Sequence, residues 1–293
     1  MFKKAAARAF KGGAAGFAAG IIQVVTFMWL RTSMNYQYAN GGTLGSAIQN
    51  LAKEGGIARF YRGVNFAILQ APLSRFGDTA ANTGVLAFLE VTAPNMPVGF
   101  QTAFASTCGA LWRIAIMPID AYKTTLQVRG KEALSVLKGK VASNGPGVLY
   151  YGAVANFSAN WVGNYPWFVT HNFLQQRIPQ KEGKMKLVRN AFIGICSSSV
   201  SDTVSNSLRV LKTVKQTSSD AKLGYVQAFR NIVATEGVRG LLGRGLATRL
   251  LVNVSQSMVF TVLWKSIQEE LQKRTEKNDK QNQKRAATSS KKK

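Results

Sequence analysis

Pro118-Ile119-Asp120-Ala121-Tyr122-Lys123-Thr124-Thr125-Leu126-Gln127 lies near the middle of a 293-residue chain, and its reading decides the fold. Its proline follows an uncharged run, Phe100 to Trp112. Inside a helix it would remove one hydrogen bond and bend the axis. The Lys123-Thr124 pair has two relatives, Arg31-Thr32 and Lys212-Thr213, spaced by 92 and 89 residues. Downstream of each pair comes a glycine-bounded turn: GIARFYRG ending at Gly63, GPGVLYYG ending at Gly152 and GVRGLLGRG ending at Gly245. Those end glycines are spaced by 89 and 93 residues. Two independent markers agree on a period near 90, so the chain is three copies of one unit.

Each unit reads alike. A long apolar stretch ends in the basic-Thr pair, a polar loop follows, and a short amphipathic segment leads to the glycine turn and a second long helix. The short segments are Thr43 to Lys53, Lys131 to Val141 and Leu223 to Val233. This predicts six long helices and three short ones in a single domain over residues 1–275. Repeat 1 covers about 1–98, repeat 2 about 99–186 and repeat 3 about 187–275, and 276–293 form a basic, polar C-terminal tail.

The charge is lopsided, with 38 Lys plus Arg against 13 Asp plus Glu and a formal net charge of +25. Yet only 17% of residues are charged and 46% are hydrophobic, which excludes a disordered chain. Two cysteines, Cys108 and Cys196, exclude a disulfide framework, and with His171 alone multi-histidine metal sites and Ser-His-Asp triads need a residue that is mostly missing. Gly12 to Leu30 is 19 residues without a charge, close to the ~20 that span a bilayer. Leu250 to Trp264, Phe100 to Trp112 and Asn190 to Ser201 are shorter uncharged runs. Mean hydropathy is only −0.03, as expected of helices with lipid on one face and polar packing on the other. Glycine at positions 12, 13, 16 and 20 suits close backbone approach inside a membrane. Backbone hydrogen bonding in lipid must be satisfied internally, which points to an all-helical membrane bundle. The basic, acid-free start reads as a flank that fixes the first helix, with an organelle-targeting segment as the alternative. The lysine-rich tail reads as a solvated segment facing anionic lipid or an acidic partner, and not as a nucleic-acid binder.

The central stretch, with Gln127 after its lysine, resembles the Pro-x-[Asp/Glu]-x-x-[Lys/Arg] signature of the mitochondrial carrier family. The turn Tyr61-Arg62-Gly63 is similar to the aromatic-basic-glycine turn of that family. With the threefold period, the resemblance extends over nearly the whole chain. It implies an all-α membrane protein in which six tilted transmembrane helices form a pseudo-threefold barrel around a water-filled cavity. Three short matrix-side helices complete it, and the cavity closes alternately from two sides. It also implies a transporter without enzymatic activity in the mitochondrial inner membrane, the outer membrane being the alternative, with no cofactor or metal and with bound cardiolipin. The turns at Gly63, Gly152 and Gly245 are the implied lipid sites, since helix N-termini there can hold phosphate.

The family closes its matrix side by pairing the acid of one repeat with the base of the next. Alignment on the basic-Thr pair replaces the proline by Thr26 in repeat 1 and Ser207 in repeat 3. The acid becomes Met28 and Arg209, and the brace glutamine recurs as Gln216. Hence only Asp120 and Lys212 can pair, Lys123 faces Met28, and Arg31 faces Arg209. The opposite gate falls on Thr83, Asn172 and Lys265, with Leu86, Gln175 and Gln268 three residues on, so no acid–base pair survives. The implied substrate contact points fall on Gln70, Ala159 and Val252, with Asn160 and Asn253 adjacent, none of them charged. Arg31, Lys123, Arg209 and Lys212 against Asp120 form a basic cluster that would concentrate a small anionic solute.

Two functions follow. One is a divergent carrier moving a small anionic metabolite by alternating access with degenerate gates. The alternative is a transport-inactive protein of the same fold, serving as a structural or accessory subunit of a larger inner-membrane complex.

Overall fold

The computed structural model describes the backbone of residues 2–93 and 96–259, and side chains from Ile21 onward except for a number within 75–102 and at position 184. Every regular element among the described residues is helical: α1 (Phe2–Asn40), α2 (Leu44–Phe60), α3 (Val64–Thr92), α4 (Val98–Ala115), α5 (Met117–Arg129), α6 (Ala133–Asn144), α7 (Ala153–Arg177), α8 (Gly183–Thr217) and α9 (Tyr225–Gly243). A further helical run covers 246–259. The long helices form a ring in which α1 packs on α3, α3 on α4, α4 on α7 and α7 on α8. The run 246–259 joins α8 through the Arg249–Asp202 ion pair and α1 through a bond from Gln23 Nε2 to the Gln256 carbonyl. Inside the ring α1, α5 and α8 each touch the other two.

The proline has the effect its chemistry requires. The chain leaves helical geometry at Ile116 (φ −88, ψ 7), and Pro118 sits in the first turn of α5, where no N–H is needed. In α1 and α8 the same position holds Thr26 and Ser207, and both helices run through unbroken, for 39 and 35 residues. Hydroxyls along α8 bond back one turn instead, Ser197 to Ile193, Ser199 to Ile195, Thr203 to Ser199 and Ser205 to Ser201. Small residues set two helix contacts. Gly77 leaves space for the Trp112 indole, which donates to the Leu73 carbonyl at 2.8 Å. Gly163 admits Ser201, whose hydroxyl donates to its carbonyl at 2.7 Å.

The short helices are longer than the segments predicted for them, because α2 continues across a kink at Gly55–Gly56 and α9 across Gly237. They link one repeat to the next. Arg59 donates to the Gln127 and Val128 carbonyls at the end of α5, both at 2.8 Å. Lys140 donates to the Gln216 carbonyl at the end of α8 at 3.2 Å, and Arg244 to the Tyr38 and Ala39 carbonyls at the end of α1. A cation from each repeat thus caps the C-terminus of the next repeat's inner helix, where the helix dipole is negative. The turn glycines follow the same cycle, with left-handed φ of +83, +91 and +63. A Cβ on Gly63 would lie 3.1 Å from the Lys123 carbonyl, one on Gly152 3.1 Å from that of Lys212, and one on Gly245 3.2 Å from that of Met34. The sequence period is therefore a ring of like contacts, 1 to 2, 2 to 3 and 3 to 1.

Against the six spans expected from the sequence, no helix among the described residues is long and apolar enough to cross a membrane. The cause lies in the inner faces: Gln23, Arg31, Asn35, Gln70, Arg113, Asp202 and Arg209 interrupt the apolar runs on the side facing the ring's interior.

Candidate functional site

The ring encloses a cavity of about 350 Å³, and its lining is polar. Six basic side chains, Arg31, Arg113, Lys123, Arg209, Lys212 and Arg249, face it together with the carboxylate of Asp120. A second hollow continues past Asp202 and Asn253 toward Trp167.

At its narrow end the three inner helices meet along three seams of different chemistry. Between α5 and α8 the seam is ionic. Asp120 Oδ2 pairs with Lys212 Nζ at 2.6 Å, as the repeat spacing predicts, and Gln216 Nε2 approaches the same oxygen at 3.4 Å. Lys123 finds no acid across at Met28 and turns to its own repeat. It pairs with Asp120 Oδ1 at 2.9 Å and donates to Gln70 Oε1, while Gln70 Nε2 donates to Asp120 Oδ1 at 2.6 Å. One buried carboxylate thus holds two lysines and two amides.

Between α1 and α5 the seam is made of neutral polar groups. Asn35 Nδ2 donates to Gln127 Oε1 at 2.6 Å, and Gln127 Nε2 lies 3.6 Å from Met28 Sδ. Asn35 stands four residues after Arg31, so the brace positions of repeats 1 and 2 bond to each other. Between α8 and α1 the seam is apolar: Tyr38 and Val210 pack with Met34, Leu211 and Val214. The like-charged meeting of Arg31 and Arg209 expected there is avoided. Arg31 Nη2 donates to Gln256 Oε1 at 2.8 Å, while Arg209 stays on the cavity wall and its Nε reaches Ser205 Oγ at 3.3 Å.

Of the contact-point amides Gln70 and Asn253 line the cavity and Asn160 reaches its wall through Arg113, and each is already tied to a charge. Gln70 holds Asp120 and Lys123, Asn160 Oδ1 accepts from Arg113 at 3.2 Å, and Asn253 donates to Asp202. Asp202 also pairs with Arg249 at 2.7 Å. Sequence reasoning missed Arg113, Asp202 and Arg249. Their signal was present: each is a charge set within or at the end of an otherwise uncharged helical stretch, the pattern that marks an inward-facing functional position.

At the other gate Asn172 is exposed, and Gln175 is held from α8 by Arg189, whose Nη1 donates to its Oε1 at 2.8 Å. His171 stacks on Trp167 at 4.6 Å, with Gln175 at 3.4 Å from its Nε2. The side chain of Thr83, and Lys265 and Gln268 entirely, lie outside the described residues. Gly63 and Gly152 open α3 and α7, and Gly245 precedes the run 246–259.

The sequence agrees with this geometry when set beside known proteins. The family model described as mitochondrial carrier protein matches residues 94–182 and 183–275. The chain is also similar to the mitochondrial citrate transporter D of Aspergillus niger, 25% identical over 193 residues that make up 62% of this chain. The similarity spans 63% of that relative's length. With two consecutive family matches covering more than half of its residues, and a ring of helices closed at one end around a charged cavity, the chain belongs to the mitochondrial carrier family.

Proposed function

We propose that this protein is a transporter of small organic anions that lies in the mitochondrial inner membrane and exposes its cavity alternately to either side. The observation that carries this reading is the cavity itself, where among the described residues six basic side chains outnumber the carboxylates in a confined space. Such a cluster raises the local concentration of negative solutes. A membrane setting is supported by the outer surface of the ring, which is apolar where a soluble protein would be polar. Phe76 on α3, Phe100 and Phe104 on α4, Trp161 and Tyr165 on α7, and Phe192 on α8 are all more than half exposed. With polar residues kept to the inner face, average hydropathy understates how apolar the lipid-facing surface is. The relative named as a citrate transporter supports an organic acid as cargo. The starts of α3 and α7, opened by Gly63 and Gly152, suit the phosphates of cardiolipin.

The test is exchange in proteoliposomes: purified protein should take up labelled citrate or malate against an internal organic anion, saturably. No flux across a panel of organic and inorganic anions would refute the reading. A second reading is favoured by one observation, the loss of ionic contacts from two of the three seams and from the described part of the opposite gate. On that reading the protein is a static subunit of a larger membrane complex. Native mass spectrometry of detergent-solubilised membranes separates the two, since a free carrier runs alone and a subunit runs with fixed partners.

A further inference from the structure

Among the described residues the cavity's carboxylates are already engaged. Asp120 is held by Lys123 and Lys212, and Asp202 by Arg249 and Asn253. Arg209 stands where the repeat period places an acid, one unit after Asp120. Its charged neighbours are Arg113, Arg249, Lys212 and the occupied Asp202. Among the described residues its side chain makes one hydrogen bond, the 3.3 Å contact from Nε to Ser205 Oγ, so its two terminal nitrogens are left to the cavity it lines. A guanidinium fork crowded by like charge has a strong requirement for a carboxylate or phosphate that can accept two parallel bonds. A single negative charge would still leave the wall in excess. The space, about 350 Å³, holds about a dozen waters at the liquid volume of roughly 30 Å³ each, enough for a compact organic acid. Among the described residues Tyr38 is the one aromatic ring on the wall, which offers little for a nucleotide base to stack on.

Resting on the transport reading above, we infer that Arg209 recognises the cargo: one acid group of a small di- or tricarboxylate binds its fork, and a second acid group reaches Arg113. The cargo then supplies the negative charge that repeat 3 lacks. Its binding stabilises the closed end, so that occupancy and gating are coupled through α8.

Thermal unfolding of the purified full-length protein in detergent, at constant ionic strength, tests this with citrate, malate, acetate, sulfate and phosphate as probes. Citrate and malate are expected to raise Tm in a saturable way, acetate hardly at all, and sulfate and phosphate less than the organic dianions. Arg209→Gln should weaken the citrate response at least tenfold, and Arg209→Lys, which keeps the charge and loses the fork, should fall between. Arg113→Gln should affect citrate and malate more than sulfate. Lys222→Gln, on an exposed loop, should respond as the unmodified protein does. Arg209→Glu should unfold at a higher temperature than the unmodified protein without added anion and ignore citrate. That variant also guards against a Gln variant that merely fails to fold. If Arg209→Gln keeps the full citrate response while liposome flux persists, Arg209 is not the recognising residue and the transport reading survives. Equal stabilisation by sulfate and citrate would overturn the assignment to a di- or tricarboxylate. Absence of both flux and any anion response would overturn the inference together with the reading beneath it.

Discussion

At the scale of single residues, Asp120 has the greatest reach. It is buried, it neutralises lysines from two repeats, and it also accepts from Gln70. Asp120→Asn leaves two partly buried ammonium groups without their shared carboxylate, and removal of one partner from a buried pair costs about 3–5 kcal/mol. A marked drop in Tm is expected, larger than for Lys123→Met, and thermal unfolding checks the order. Gly152 is the backbone counterpart. With φ at +91 and the Lys212 carbonyl 3.1 Å from where a Cβ would sit, Gly152→Ala combines left-handed strain of roughly 1–2 kcal/mol with a contact that backbone cannot relieve. An unchanged Tm would contradict the assigned contact. The pairing of Asp120 with Lys212 was legible in the sequence because it needs only a period and two opposite charges. The turning of Lys123 to Asp120 and Gln70 was not, since it depends on what Met28 fails to offer across the seam. Nor was the pairing of Arg249 with Asp202, because two charges in neighbouring helices meet only when both helical phases and the ring order are known.

Among the elements, the three inner helices show what one proline decides. The chain breaks at Ile116 in repeat 2, and α1 and α8 run straight through the equivalent place. Ser207→Pro puts back the ring in α8, within a helix whose hydrogen bonds are intact, and about 3 kcal/mol of destabilisation is expected. Denaturant unfolding followed by circular dichroism reads both the loss and any fall in helicity. On α6, Lys140 is buried beside Gln216 and Tyr151. Burial, then the nearby Arg129 and Lys215, push its ammonium down to about 8, with Asp220 opposing. The unfolded chain therefore holds this proton more tightly than the folded one, with an ordinary lysine value of 10.5. The penalty is fully present below pH 8 and is relieved as pH rises toward 10.5. Relative to Lys140→Met, the unmodified protein should gain stability across that window, and parallel Tm curves would argue against it. Element positions were legible from apolar runs and turn glycines. Their lengths were not, because Gly55, Gly56 and Gly237 kink helices that continue beyond them.

For the molecule as a whole, the outer surface decides the setting. Tyr165, near the middle of α7, is 75% exposed. In lipid, Tyr165→Arg at that depth should cost about 2.5–3.5 kcal/mol on insertion scales, whereas in water it would be nearly neutral. Asn172→Arg, close to the helix end, serves as the comparison. Membrane accumulation of the two variants after expression measures the difference, and equal accumulation would count against a lipid belt. The threefold plan was legible at this scale because repeats are a property of the sequence alone. The three unlike seams were not, since each is a negotiation between residues one or two repeats apart in the chain. Their difference has a mechanical consequence. A ring sealed by identical ion pairs would dilate like an iris, every blade moving alike. Here two lysines grip one carboxylate between α5 and α8, while the other joins rest on amides, a thioether and oily contacts. On the transport reading, opening at this end parts the joins around α1 first and the charged one last.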